Sequence, residues 1–237
     1  MYLGYFDPTV ILLLPAIILA VWAQARVNSA FNKYSKVMNA RGLTGAEAAR
    51  QILDRNGLYN VKVQRISGNL TDNFDPRTNV VNLSDSTYSS NSVSAVGVAA
   101  HECGHAVQYA TGYGPIRVRN GIFPVVNVCS KLAMPIILVG FILTAFGGIA
   151  PIVIDIGILL YCATVLFQVI TLPVEFNASS RALKTLESYN MMSPDELKGA
   201  KKVLSAAAMT YVAATLSALL TLLRLILISS NARNSRD

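Results

Sequence analysis

The stretch Gly97–Gly112, GVAAHECGHAVQYATG, holds His101 and His105, the two histidines of a 237-residue chain. Residues four apart share one face of an α-helix, about one turn from each other, so two imidazoles at this spacing can chelate one metal ion. Zinc suits them best, because two neutral imidazoles and a carboxylate make a three-ligand site with a fourth position open for water. Glu102, directly after the first histidine, is placed to act on that water as general base rather than as ligand. This is the H-E-x-x-H arrangement of metalloproteases. The competing reading is a pair of surface histidines on an ordinary helix. It loses ground because the flanks SVSAVGVAA and AVQYA are small and apolar, and a buried imidazole pair requires a partner.

There is no third histidine, so a carboxylate must close the site. The leading candidate is Glu175 in TLPVEFNASSRALKTLE. This helix-compatible stretch leaves the third apolar run on the same side as the His101 helix, with Pro173 in a first turn. A plain role as an interfacial helix cap is the alternative for Glu175. One turn further on, Ser179 is placed to hydrogen-bond a ligand. Arg181 has two open readings, stabilisation of the tetrahedral oxyanion or contact with lipid phosphate. Asp155 in IVIDIG competes as third ligand, since an acid inside an apolar span is costly without a role. That intramembrane plan needs the His101 helix within the bilayer, and its polar leader DSTYSSNS leaves only a modest apolar segment. Pairing with Lys131 or Arg224 accounts for Asp155 more simply.

These groups must be carried by a membrane protein. The chain is 53% hydrophobic and 14% charged, with positive mean hydropathy, outside the usual range of a soluble domain. Val10–Ala25 is a first apolar run, with Tyr5 and Trp22 suited to its two interfaces. No Lys or Arg precedes it, so it reads as an uncleaved anchor rather than a signal peptide. Gly121–Ala150 and Pro151–Leu172 read as a helical hairpin hinged at Phe146–Pro151, and Val203–Ser229 as a fourth span with Arg224 able to snorkel. Arg26, Lys33, Lys36 and Arg41 follow the first span, which places that side in the cytoplasm. Four spans then return Pro173–Lys202, with five more basic residues, to the same side, while the tail NARNSRD lies outside despite Arg233 and Arg236. The net charge of +7 fits topology and anionic lipid; no basic run is interleaved with aromatics, so nucleic acid is not an expected partner.

Between the first span and the His101 helix the chain changes character. Thr44 and Glu47 have capping-box spacing at the start of a short amphipathic helix that turns Ala49, Ile52 and Leu53 to one side and ends at Gly57. LYNVKVQRIS alternates like a strand, a turn falls at Asp75, Pro76 and Arg77, and a second strand runs from about Asn79 to Ser84. The open edge of this small sheet is either plain structure or a place for an extended peptide to add as a strand. The His101 helix is expected to begin near Ser92 and stop at Gly112. Cys103, Cys129 and Cys162 imply no disulfide framework, and Cys103 lies on another helix face from the histidines, as a packing residue.

LTDNFDPRTNVVNLS, VAAHECGHAVQ and LPVEFNASSRAL together resemble the YugP-like neutral zinc metallopeptidases of bacterial membranes, over nearly the whole chain and in the order of spans. The resemblance implies a membrane-bound zinc peptidase with His101 and His105 as ligands and Glu102 as catalytic base. EFNASSRA is similar, more distantly, to the E-x-x-A-D segment of the HtpX and CAAX prenyl protease group, which carries Glu175 over as third ligand. That group has Asp where this chain has Ser179. The expectation is therefore a mainly α, polytopic membrane protein with about four transmembrane helices and a small α+β, zincin-like catalytic region. Its parts would be an anchor at 1–25, the catalytic region at 26–120, the hairpin at 121–172, the third-ligand helix and connecting segment at 173–202, and the last transmembrane helix and tail at 203–237. Its activity would be gluzincin-like hydrolysis of peptide or membrane-protein substrates with one Zn2+ per chain, in a catalytic region on the cytoplasmic face of the cell membrane. The rival from another class is a membrane protein that binds zinc without turnover; a purely structural site would have no use for Glu102.

Overall fold

The computed structural model describes residues 8–144 and 148–234, with side chains through residue 230. In chain order the elements are a 3-10 turn at Pro8–Leu13, α1 (Leu14–Tyr34), α2 (Gly45–Arg55), β1 (Lys62–Ile66), β2 (Asn73–Asp75), β3 (Val80–Ser84), α3 (Asp85–Tyr88), α4 (Val93–Ala110), α5 (Gly114–Leu143), α6 (Ala150–Ser188) and α7 (Pro194–Asn234). The described residues are mainly α with one small sheet, as the sequence pattern predicts.

Among the described residues four helical stretches are long and apolar enough to cross a membrane: Pro8–Tyr34, Gly114–Leu143, Ala150–Ser188 and Pro194–Ser230, with mean hydropathy of 2.0 to 2.2 in their most apolar windows. One compact unit consists of the chain up to Trp22, Val118–Thr171 and the chain from Tyr211 onward. Ala133, Ile137 and Ile154 are buried within it, while Ile18, Leu138 and Leu159 stand well exposed. That outward aliphatic surface suits lipid tails, which are as apolar as the side chains themselves. Asp155 is met by Ser229, whose hydroxyl lies 3.5 Å from its carboxylate, and the Arg224 guanidinium reaches Thr9 at 3.2 Å. Lys131 is exposed and joins no ion pair among the described residues, so it is not the partner of Asp155.

The second unit is Ala23–Arg117 with Leu172–Thr210. Here α2 opens on the expected reciprocal cap, the Thr44 hydroxyl accepting from the Glu47 amide and the Glu47 carboxylate accepting from the Thr44 amide. Ala48, Ala49, Ile52 and Leu53 are buried, and Gly57 follows the helix at positive φ. The sheet has the order β1-β3-β2. β1 pairs with β3 in parallel, Lys62 opposite Val80 through Ile66 opposite Ser84. β2 pairs with β3 antiparallel, Phe74 opposite Val81. Asp75 closes the hairpin turn by accepting from the Arg77 amide and the Thr78 hydroxyl. Two strands were expected from the pattern, and β2 is an addition: three residues are too few for alternation to register. Val81 and Leu83 of the central strand join Val93, Val96 and Leu186 in the core.

Ser92 caps α4, its hydroxyl accepting from the Ala95 amide, and Gly112 at φ +66° follows the helix end. Two helices differ from expectation. Pro173 does not start a new helix but lies inside α6. A proline removes one i→i−4 bond, and with no helix-ending glycine nearby in QVITLPVEFNASS the run simply continues through it. Likewise α7 begins at Pro194, well before the apolar run, because Ser193 and Glu196 cap each other's backbone amides. The expected interfacial Tyr5, positions 145–147 of the hinge, and the side chains of the basic tail lie outside the described residues.

Candidate metal centre

His101 and His105 stand one turn apart on α4, with ring centroids 4.7 Å apart and planes at 84°. α6 brings Glu175 to them. Its Oε2 lies 3.3 Å from His101 Nε2 and 3.5 Å from His105 Nε2. Among the described residues these three are the group whose ligand atoms converge, all within 4.8 Å. Asp155, the competing candidate, is not part of it.

Close approach of α4 and α6 makes this possible, and Gly104 permits it. A Cβ on Gly104 would stand 2.7 Å from the Ala178 carbonyl oxygen, so a side chain there would force the helices apart. Glu175 lies one turn before Ala178 and is 2% exposed.

The other nitrogen of each ring is already engaged. His101 Nδ1 lies 3.1 Å from Ser179 Oγ, and His105 Nδ1 lies 3.0 Å from Gln108 Oε1. Each ring therefore turns Nε2 toward Glu175. The set fits zinc on two counts. Two imidazole nitrogens and a carboxylate oxygen are a common zinc donor set, and bonds of about 2.0–2.2 Å in tetrahedral geometry place donors about 3.3–3.6 Å apart, the spacing of Glu175 Oε2 from both Nε2 atoms.

Glu102 is buried beside the cluster rather than in it. Burial pushes its carboxyl up to about 7; the neighbouring His101 works against this, Glu175 and Asp72 add to it, and the Phe74 backbone amide lowers it. That amide brings β2 to the site. The Phe74 ring also meets Tyr109, one turn beyond His105, at 6.2 Å. Arg181 uses Nε to donate to Asn177 Oδ1 at 2.8 Å, with its guanidinium 5.9 Å from the Tyr113 ring. Cys103 is packing, as expected: its thiol is fully buried, donates to the Ala49 carbonyl, and is pushed well above its ordinary pKa by burial.

Sequence reasoning missed Gly104, Gln108, Asn177 and β2. Gln108 left one signal, a polar side chain three residues beyond His105 and so on the same helix face.

Residues 9–230 match the family described as "Putative neutral zinc metallopeptidase". The chain is also similar to the "Putative membrane protease YugP" of Bacillus subtilis (strain 168), at 49% identity over 225 residues, covering 95% of this chain and 98% of the relative. No solved structure matches it. A match over nearly the whole length, on a chain that brings two imidazoles and a carboxylate together in this way, places the protein in the neutral zinc metallopeptidase family.

Proposed function

We propose that this chain is a membrane-bound endopeptidase that holds one zinc with His101, His105 and Glu175 and uses Glu102 as general base. The observation that carries the reading is the convergence of the two Nε2 atoms and Glu175 Oε2 within 4.8 Å. When bound there, zinc supplies Lewis acidity toward a carbonyl and toward water. Glu102 then has the proton work: it takes a proton from the attacking water and returns it to the leaving amine. Its place directly after His101, buried but outside the ligand group, supports that division of roles. A zinc protein without turnover would bury this acid for no gain. The terminal nitrogens of Arg181 are the group we assign to the developing oxyanion, since Nε is spent on Asn177.

The substrates we propose are membrane proteins or their exposed loops, because four apolar helices hold the enzyme in the bilayer. β2 is an edge strand whose Phe74 amide faces Glu102, so an extended segment added to that edge would run past the base. The basic residues that follow the first span and precede the last support a cytoplasmic catalytic region.

The test is zinc content and casein hydrolysis of the detergent-solubilised protein, for wild type, Glu175→Ala, Asp155→Ala and Glu102→Gln. The expected result is one zinc per chain, lost in Glu175→Ala, kept in Asp155→Ala, and kept in a Glu102→Gln variant that no longer cleaves. Zinc that depends on Asp155, or a wild type that binds none, overturns the reading.

A further inference from the structure

We infer that Gln108, Asn177 and Arg181 are positioning residues, a hydrogen-bond relay whose fixed polarity sets which nitrogen of His105 carries the proton. The inference rests on the zinc-binding reading of the site above. Both ends of the relay are unambiguous. The Val174 carbonyl can only accept, so the Gln108 atom 2.8 Å from it is the amide nitrogen. Arg181 Nε can only donate, so the Asn177 atom 2.8 Å from it is the carbonyl oxygen. That same oxygen lies 3.0 Å from Gln108 Nε2 and takes its second hydrogen.

With both amide hydrogens spent, Gln108 has only Oε1 left for His105. It lies 3.0 Å from Nδ1, which must therefore carry the proton. In the neutral ring that metal ligation requires, Nε2 then holds the lone pair, and it is this atom that faces Glu175 Oε2. Gln108 is 0% exposed, so water does not compete for these bonds. A neutral imidazole free to exchange tautomers would present a ligand atom only part of the time; the relay removes that choice.

The relay also ties the ring to the helix that carries the third ligand. Val174, Asn177 and Arg181 recur at helical spacing on α6, the first two bonding Gln108 and the third bonding Asn177, while Glu175 and Ser179, four apart on the adjacent row, face the histidines. His105 is thereby aligned to Glu175 through α6 itself and not through α4 alone.

The experiment measures zinc affinity by chelator competition on the full-length protein, together with the ring spectrum of protein labelled with 15N at histidine. With two histidines in the chain, that spectrum is readily assigned. Gln108→Leu is expected to weaken zinc binding about 10- to 100-fold and to expose the His105 Nδ1 proton to rapid exchange. Asn177→Leu and Arg181→Leu are expected to weaken binding in the same direction. Asn177→Asp, which keeps an oxygen acceptor for both neighbours, is expected to stay near wild type. Should Gln108→Leu fail to fold, the contrast between Asn177→Leu and Asn177→Asp decides. Wild-type zinc affinity and a protected Nδ1 proton in Gln108→Leu and Asn177→Leu overturn the relay; unchanged zinc affinity in Arg181→Leu removes that residue from it. A wild type that binds no zinc fails at the earlier step and is told apart on that ground.

Discussion

His101 is oriented by a hydroxyl, Ser179 Oγ at 3.1 Å from Nδ1; with Nε2 given to a metal this hydroxyl is the acceptor, and a neutral acceptor holds an imidazole less strongly than a carboxylate does. Such partners fix the ring and raise its basicity, and their loss costs about 10- to 100-fold in metal affinity or activity. Ser179→Ala is therefore expected to loosen zinc about tenfold, near the low end of that range, while Ser179→Asp binds zinc at least as tightly as wild type. Chelator competition measures both, and an unchanged Ser179→Ala removes the hydroxyl from the site's design. Glu102 answers to a different measurement. Its removal as Glu102→Gln is expected to lower kcat by about 10²- to 10⁴-fold, the usual contribution of a positioned acid–base group, without a matching loss of zinc. A fall in zinc content parallel to the fall in rate would make Glu102 a structural support instead.

Two helices show how differently an element's own residues and its neighbours matter. The cap of α2 is local: the Thr44 hydroxyl and Glu47 carboxylate satisfy each other's backbone amides. Thr44→Ala is expected to cost about 1 kcal/mol of stability and to leave zinc affinity unchanged. Gly104 is the reverse case. A methyl group there must displace the Ala178 carbonyl, so Gly104→Ala should cost about 1–3 kcal/mol as overpacking and also weaken zinc by separating α4 from α6. Thermal unfolding of the metal-free variants beside their zinc affinities distinguishes the two, and Gly104→Ala with normal zinc affinity would mean that the helix contact does not set the site. The same contrast explains what could be read from the sequence. The His101–His105 spacing, the α2 cap and the Ser92 start of α4 are settled within one helical turn, so residue types suffice. Glu175 was reachable because, with no third histidine, a carboxylate had to close the site. Gln108 donates to residues 66 and 69 positions away, and nothing near it in the chain announces them. The continuity of α6 through Pro173 depended on the flanking residues outweighing one lost hydrogen bond, a balance that the proline's identity alone does not reveal.

At the scale of the molecule, helix length constrains topology. At 1.5 Å per residue, the 27-, 30-, 39- and 37-residue helices run about 40, 45, 58 and 56 Å, against a hydrocarbon core of about 30 Å. The last two exceed it most, and their polar portions are the ones that begin or end near Glu175 and the Lys198–Lys202 stretch. Four crossings put Lys36, after the first span, and Lys198, before the last, on one side, and Thr144, at the end of α5, on the other. We propose that the shared side is cytoplasmic, because Arg26, Lys33, Lys36 and Arg41 lie beside the first span and Lys198, Lys201 and Lys202 beside the last, while no Lys or Arg falls between Thr144 and Ile149. Single cysteines at these three positions, in a background with Cys103, Cys129 and Cys162 replaced by alanine, test this with a membrane-impermeant maleimide. Lys36→Cys and Lys198→Cys should label in inverted vesicles and stay protected in intact cells, and Thr144→Cys should do the opposite. Complete reversal of all three would keep the four crossings but move the metal centre to the outer face, changing which loops it can reach. Labelling of Lys36→Cys and Lys198→Cys from opposite sides would break the four-crossing count itself, since an odd number of spans would then separate residues that share the His101–Glu175 unit.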